Sequence, residues 1–405
     1  MTSIPGLSSA DWRARLSAEA AAAPASGIAE VMRHGFGRSG IIPLWVGEGD
    51  QATPAFLCEA AAAALARGET FYMPQAGLAE LRGALAAYHD RLYGGLFGAP
   101  FRAERFFATG SGMQAIQIAI RLTAGAGDEV IVPTPAWPNF AAAVGVAGVV
   151  ARQVPLHFAS TGWHMDLHDI ERSIGPRTRA LFLNSPSNPT GWTASEAELS
   201  AILDLCRRHG LWIIADEVYS RFTYDTARRS TPSLHSVVAA DDRVLFVNTF
   251  SKNWAMTGWR IGWIEAPEAL GPAVENLIQY ATSGVAVFMQ RAAALALNQG
   301  EASLAALMER ARAGRDIVTG ALARVPGIDF APPGAFYLFF RVDGVSDSTG
   351  FASALIREAD VGLAPGSAFG LGGEGFFRLC FARDPNDLRA ACGRFTDWMA
   401  ARSPA

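Results

Sequence analysis

The chain has 405 residues, half of them hydrophobic and 18% charged, which excludes a disordered chain and allows two or three domains at roughly 150 residues each. Against 38 acidic residues stand 34 basic ones, a net charge of -4 without a Lys/Arg-rich block, so nucleic acid is not an expected partner. The longest small apolar run, Phe140 to Ala151, has 12 members where a bilayer span needs roughly 20, and four scattered cysteines behind no secretory signal read as reduced thiols, so a cytoplasmic protein without a membrane partner is expected.

In chain order, residues 1 to about 45 read as an irregular arm with one short helix. Helical and strand patterns then alternate from about 52 to 290. Arg105 to Thr109 predicts a strand, Gly110-Ser111-Gly112 a turn, and Met113 to Leu122 a helix. Glu129 to Val132 is a short buried strand, followed by the loop Pro135-Ala136-Trp137-Pro138-Asn139. Ala180 to Asn184 is another strand, ending in the turn Ser185-Pro186-Ser187-Asn188-Pro189-Thr190-Gly191. The next helix carries a capping box, Ser195 and Glu198, apolar Leu199, Ile202, Leu203 and Cys206, and Gly210 as its stop. Leu211 to Ala215 and Val244 to Thr249 are continuous apolar runs of strand length. Such runs between helices predict an α/β fold with a mostly parallel sheet buried on both faces, and ligands bound beyond the strand ends. An Ala/Leu-rich helical stretch from about 287, with short strands near 335–341 and 376–381, reads as a smaller α+β domain. The expected division is an arm and part of the small domain in 1–50, a large domain in 51–288 and a small C-terminal domain in 289–405.

The 34 basic residues comprise 33 arginines and one lysine, Lys252. Arginine serves wherever a fixed charge is wanted, but it cannot shed its proton near neutral pH. A primary amine can, and can then attack a carbonyl to form a Schiff base. Lys252 closes the segment Thr249-Phe250-Ser251 at a strand end, with Arg260 eight residues on. Asp216 ends another strand and Tyr219 follows it. Taken singly, these are a turn residue, a core aromatic and a surface cation. Together, an amine, an acid, a phenol and a cation are what pyridoxal phosphate requires: an imine partner, a counter-charge for the ring nitrogen, a partner for the ring oxygen and a phosphate clamp. Gly110-Ser111-Gly112 at a helix start would complete the phosphate site, and Trp137 would stack on the ring.

With these residues the sequence resembles the fold-type I pyridoxal-phosphate aminotransferases of class I/II, the aspartate aminotransferase superfamily. The likeness runs from about residue 27 to 400. Its most specific part is Ser251-Lys252 through Arg260-Ile261-Gly262, with Thr249 where the family usually has Ser or Gly. Tyr72 before Pro74-Gln75-Ala76-Gly77, Asn184 to Gly191, Asp216-Glu217-Val218-Tyr219, Gly334-Ala335-Phe336-Tyr337 and Pro365-Gly366-Ser367-Ala368-Phe369 also match.

The resemblance implies a three-layer large domain that binds pyridoxal 5'-phosphate and a smaller α+β domain. It makes Lys252 the Schiff-base lysine and proton shuttle, with Asp216 at the ring nitrogen and Tyr219 and Asn188 at the ring oxygen. Ser111, Gly112, Ser251 and Arg260 would hold the phosphate, Met113 and Thr249 would also bind the cofactor, and Trp137 would stack on the ring and, with Asn188, touch the substrate. Tyr72 would reach the phosphate of the other subunit in a homodimer with composite sites. Arg378 would grip the substrate α-carboxylate beside Gly47. Some relatives carry His behind the ring acid, where this chain has Phe140.

The activity implied is transfer of an amino group from an L-amino acid to a 2-oxo acid by a ping-pong route. The alternatives are a carbon–sulfur β-lyase on the same fold and a non-catalytic regulator that binds the cofactor. Acid-specific relatives use a Lys just after the phosphate-loop glycine or an Arg on the partner's loop. Here the first place is Met113, and Leu277 to Phe288 contains no Arg. Neutral apolar or aromatic donors are therefore expected, in a pocket lined by Phe36, Trp45 and Tyr337. Arg13, Arg15 or Arg38 would overturn this by folding over that pocket.

Overall fold

A computed structural model describes residues 12–402; residues 1–11 of the expected arm and 403–405 of the expected C-terminal domain lie outside it. Seven strands form the main sheet among the described residues: β1 (Phe106–Thr109), β2 (Glu129–Thr134), β3 (Val150–Pro155), β4 (Thr178–Asn184), β5 (Trp212–Asp216), β6 (Val244–Thr249) and β7 (Gly262–Glu265). Their spatial order is β1-β7-β6-β5-β4-β2-β3. Neighbours are parallel except around β7, which runs antiparallel to both β1 and β6. The mostly parallel sheet is thus found, with one reversed strand. That strand has only four residues, too few for its alternation to be read in the sequence.

The apolar runs sort by strand alternation onto two faces. Val130, Val132, Ala180, Phe182, Ile214, Leu245 and Val247 join the side of helices Gly112–Thr123, Pro138–Val146 and Gly271–Thr282. Ile131, Leu181, Leu183, Ile213 and Phe246 face the other core, shared with helix Glu196–His209. The last helix begins and ends as its sequence dictates. Ser195 Oγ accepts from the Glu198 amide, the Glu198 carboxylate accepts from the Ser195 amide, and Gly210 stops the helix at φ +64°.

The C-terminal unit holds an antiparallel sheet of β8 (Ile328–Phe330), β9 (Tyr337–Val342), β10 (Ala364–Pro365) and β11 (Phe376–Cys380), in the order β8-β9-β11-β10. Ile42–Pro43 pairs in parallel with Val361–Gly362, tying the N-terminal segment to this unit. Among the described residues the arm contains the complete short helices Ala18–Ala22 and Gly27–Arg33, where one short helix was expected. The Ala/Leu stretch from 287 is two helices, Val287–Gln299 and Glu301–Leu322, divided at Gly300. The first packs on helices Ala55–Ala66 and Ala79–Tyr93, so a division at 288/289 cuts through a packed layer. The second packs on the C-terminal helix Pro385–Ala400.

The topology collects chemistry at one sheet edge. Asn184 and Asp216 are paired in register at the ends of β4 and β5. Gly262 pairs with both Thr249 and Thr109, so β7 starts where β6 and β1 finish.

Candidate active site

Beyond this edge lies a cavity of about 400 Å³, the size of a small-molecule site. Lys252 enters it from the short helix Phe250–Asn253, which Thr249 caps by accepting from the Ser251 amide. Lys252 Nζ donates to the Gly47 carbonyl at 2.7 Å. Burial pushes its ammonium down to about 8; the charge of Arg378 adds to this, while Glu48 and Asp216 oppose it. The amine therefore releases its proton close to neutral pH, as attack on a carbonyl requires.

Asp216 is buried at the end of β5, and burial pushes its carboxyl up to about 7, against a Val218 N–H bond and the charge of Lys252. Behind the sheet edge Phe140 stacks on Phe182, ring centroids 3.5 Å apart, so an apolar pair stands there. A carboxyl in this setting gains from a cationic partner, because burial alone disfavours its charge.

Asn184 pins the neighbouring strand ends, donating to the Asp216 carbonyl at 3.0 Å and accepting from the Asn188 amide at 2.8 Å. Asn188 Oδ1 accepts from Arg378 Nη1 at 2.9 Å, which leaves the Asn188 side-chain amide as a donor. Arg378 also donates to the Trp45 carbonyl and lies over the rings of Tyr337 and Phe369. Its buried Nε has no partner, an unspent donor beside the cavity. The hydroxyls of Tyr219 and Tyr337 are 2.8 Å apart. A side chain at Gly47 would strike the second of them, its Cβ falling 2.7 Å from the Tyr337 hydroxyl.

The far end is built for an anion. Helix Gly112–Thr123 opens there, and Ser111 Oγ accepts from the Gln114 amide at 3.1 Å. Ser111 thus caps the helix and does not line the cavity; only its O–H is left to donate. Thr249 Oγ1 donates to the Ile261 carbonyl at 3.0 Å, so in the 2.9 Å pair of hydroxyls it is Ser251 that donates to Thr249, a proton it can turn toward an anion at this end. Arg260 lines the same end, held by the Thr257 carbonyl at 2.6 Å. Gly262 lets β7 lie against this turn: a Cβ there would sit 2.7 Å from the Gly112 nitrogen and the Asn248 carbonyl.

Gly47, Met113, Trp137, Asn188, Tyr219, Thr249 and Ser251 also line the cavity. Tyr72 does not. It is 90% exposed, next in sequence to the likewise exposed Phe71, on the outside of its own chain. Phe36 is 68% exposed and is replaced as a wall by Ile28 and Met32, which sequence reasoning missed. Their signal was the helical spacing of Ile28, Val31 and Met32, overlooked in an arm read as irregular. Arg38 is paired with Asp360 at 2.6 Å, and Arg13 and Arg15 are exposed, so none of these three cations lines the cavity. Arg291 pairs with Glu69 and Glu80. The ordered donors at both ends, the amine and the buried acid fit a phosphorylated aldehyde with a basic ring nitrogen.

Residues 39–395 match the family described as aminotransferase class I and II. The chain is 35% identical to an aromatic-amino-acid aminotransferase of Thermococcus litoralis over 88% of its own length and 91% of that protein's. It is 36% identical to an arginine–pyruvate transaminase of Pseudomonas aeruginosa, covering 87% and 88%. The solved aspartate aminotransferase of Rhizobium meliloti superposes with a TM-score of 0.87 at 31% identity, over 95% of this chain and 99% of that one.

Proposed function

The chain belongs to the class I and II aminotransferases, whose cofactor is pyridoxal 5'-phosphate, and from that premise we propose that it moves the amino group of a neutral apolar or aromatic L-amino acid to a 2-oxo acid. When bound, the cofactor supplies an aldehyde that condenses with amines and a ring that draws electrons from the substrate's α-carbon. Lys252 Nζ would hold the cofactor and would carry the α-proton as the site's base. Asp216 keeps a proton at the ring nitrogen. Tyr219 and the freed amide of Asn188 donate to the ring oxygen. The Gly112 amide, Ser251 and Arg260 hold the phosphate, and Arg378 orients the substrate carboxylate.

One observation carries the substrate class. Among the described residues the cations lining the cavity are Lys252, Arg260 and Arg378, and each already has a task. The remaining wall includes Ile28, Met32, Trp45 and Val46. A second carboxylate on the substrate would be desolvated without a partner, whereas an apolar side chain gains from burial. The test is kcat/KM for leucine, phenylalanine, alanine and aspartate with 2-oxoglutarate and pyruvate as acceptors. Leucine or phenylalanine should exceed aspartate; a tenfold preference for aspartate would refute the substrate class.

The active unit we propose is a homodimer. Phe71 at 82%, Tyr72 at 90% and Tyr280 at 86% exposure are large aromatic side chains of the kind a second copy covers, and Gln75 bonding Gln279 links the two segments that carry them. Free cysteines, three of the four buried, fit a reducing cytoplasm, and no described helix is long and apolar enough to cross a membrane.

A further inference from the structure

Glu217 directly follows Asp216, and strand alternation sends its side chain to the other side of the backbone, away from the cavity. It is buried there, and its carboxylate accepts from the Ser233 hydroxyl at 2.7 and 2.9 Å and from the Leu234 amide at 3.1 Å. The same hydroxyl lies 2.7 Å from His235 Nδ1. His235 Nε2 lies 2.8 Å from Glu265, which also accepts from Arg105 at 3.0 Å. The His235 ring is stacked on Phe246 at 3.8 Å and on Tyr93 at 4.5 Å, and it is almost fully buried.

Counting hydrogens restricts this chain of groups. Glu265 is ionised beside Arg105, so His235 Nε2 carries a proton. Ser233 has one hydroxyl proton and two neighbours able to take it. If it donates to Glu217, His235 Nδ1 must also be protonated to donate back. If it donates to Nδ1, Glu217 must be the protonated group. Both arrangements hold one extra proton, shared between Glu217 and His235 through the hydroxyl, and both leave the four groups Glu217, His235, Glu265 and Arg105 with zero net charge. The remaining titratable neighbours add no charge: Tyr93 is a phenol pushed up by burial, and burial pushes His89 down to about 4.

We propose that Glu217, Ser233, His235 and Glu265 form a buried proton relay that keeps the charge beneath Asp216 balanced, which makes His235 a positioning residue of the cofactor site. The inference rests on the assignment of Asp216 to the cofactor's ring nitrogen. The coupling is short and stiff. The Glu217 amide donates to the Val247 carbonyl at 3.1 Å, the Glu217 carbonyl accepts from Asn248 at 3.2 Å, and Asn248 in turn holds the Thr249 amide just before Lys252. The charge of Glu217 also pushes the Asp216 carboxyl up, so its neutralisation is felt at the ring acid.

Removing His235 leaves one unbalanced charge, because Glu217 keeps other partners. In His235→Gln, Glu217 retains Ser233 and Leu234 and stays anionic. In Glu217→Gln the carboxamide stands in for the protonated Glu217 of the second arrangement, donating to Ser233 and accepting from Leu234, so the net charge is unchanged. A nearby anion favours the extra proton on the Lys252 nitrogen of the cofactor-loaded protein. The measurement is the pH midpoint of the visible absorbance of the holoenzyme without substrate. It should rise by roughly half a pH unit or more in His235→Gln, for a charge about 10 Å away, and stay close to wild type in Glu217→Gln. The double variant, which removes the unbalanced anion, should return close to wild type. No rise in His235→Gln, a shift of that size in Glu217→Gln, or a double variant that keeps the rise would overturn the relay. Should His235→Gln fail to fold, the same rise expected in His235→Asn decides in its place. A wild-type protein without the visible band would instead overturn the cofactor assignment.

Discussion

Lys252 and Arg378 differ in how the fold treats a cation. Lys252 is inserted into the cavity wall, where burial lowers its affinity for a proton from the ordinary 10.5 to about 8. Its folded value lies below its unfolded one, so the penalty is absent above the unfolded value and grows as pH falls toward the folded one. Lys252→Met should therefore raise the melting temperature of the cofactor-free protein at pH 7 and change it little at pH 10.5, as differential scanning fluorimetry at the two pH values would record. An equal gain at both would mean that packing, not charge, is relieved. Arg378, a guanidinium, is held by Asn188 and Trp45 with its Nε unspent. Arg378→Ala should raise KM for every amino donor by roughly tenfold or more, since a charge-assisted clamp contributes about 1.5–3 kcal/mol. Steady-state kinetics with unchanged KM across donors would remove it from the substrate site.

Helix Gly27–Arg33 shows how an element far from the chemistry shapes it. Ser26 Oγ caps it by accepting from the Ala29 amide, and Val31 is fully buried in the core shared with the C-terminal sheet. Successive turns then bring Ile28 and Met32, four residues apart, onto the cavity wall. Met32→Arg would supply the fourth cation that the cavity lacks. The ratio of kcat/KM for aspartate to that for leucine should rise by about tenfold or more, one paired carboxylate against one lost apolar contact. A ratio unchanged in a folded variant would place the substrate side chain elsewhere. At the other end, the turn Gly110-Ser111-Gly112 and the start of β7 approach so closely that Gly262 cannot carry a side chain without moving a backbone carbonyl.

At the scale of the molecule, the two sheets share one core, are joined by polar contacts such as Arg378 to Asn188 and Tyr219 to Tyr337, and are further tied by the N-terminal segment. Ile42–Pro43 pairs with Val361–Gly362, and Lys252 reaches Gly47 across 205 positions. The exposed Tyr72 has no place in its own cavity, which is expected of a residue that completes another subunit's site. Lys252→Ala and Tyr72→Ala subunits, each impaired alone, should on mixing form heterodimers in which one site carries both defects and the other neither. Recovered activity, read against heterodimer content by native mass spectrometry, measures this. Heterodimers present without recovered activity would show that the sites are not shared.

The chemistry was legible in the sequence because it sits in short windows. A lysine after a strand, an acid ending an apolar run and a capped, glycine-stopped helix are each defined within about sixteen residues, where strand alternation and turn chemistry act. The parallel sheet followed from the same apolar runs. Contacts between distant segments were decided by tertiary structure alone: Arg378 with Asn188 across 190 positions, Ile28 and Met32 in place of Phe36, and His235 between Glu217 and Glu265. Reversed β7 belongs with these, since pairing rather than its own four residues sets its direction. A residue's neighbours along the chain determine its local conformation, but which buried polar groups meet depends on how the layers close, and only the packed molecule specifies that.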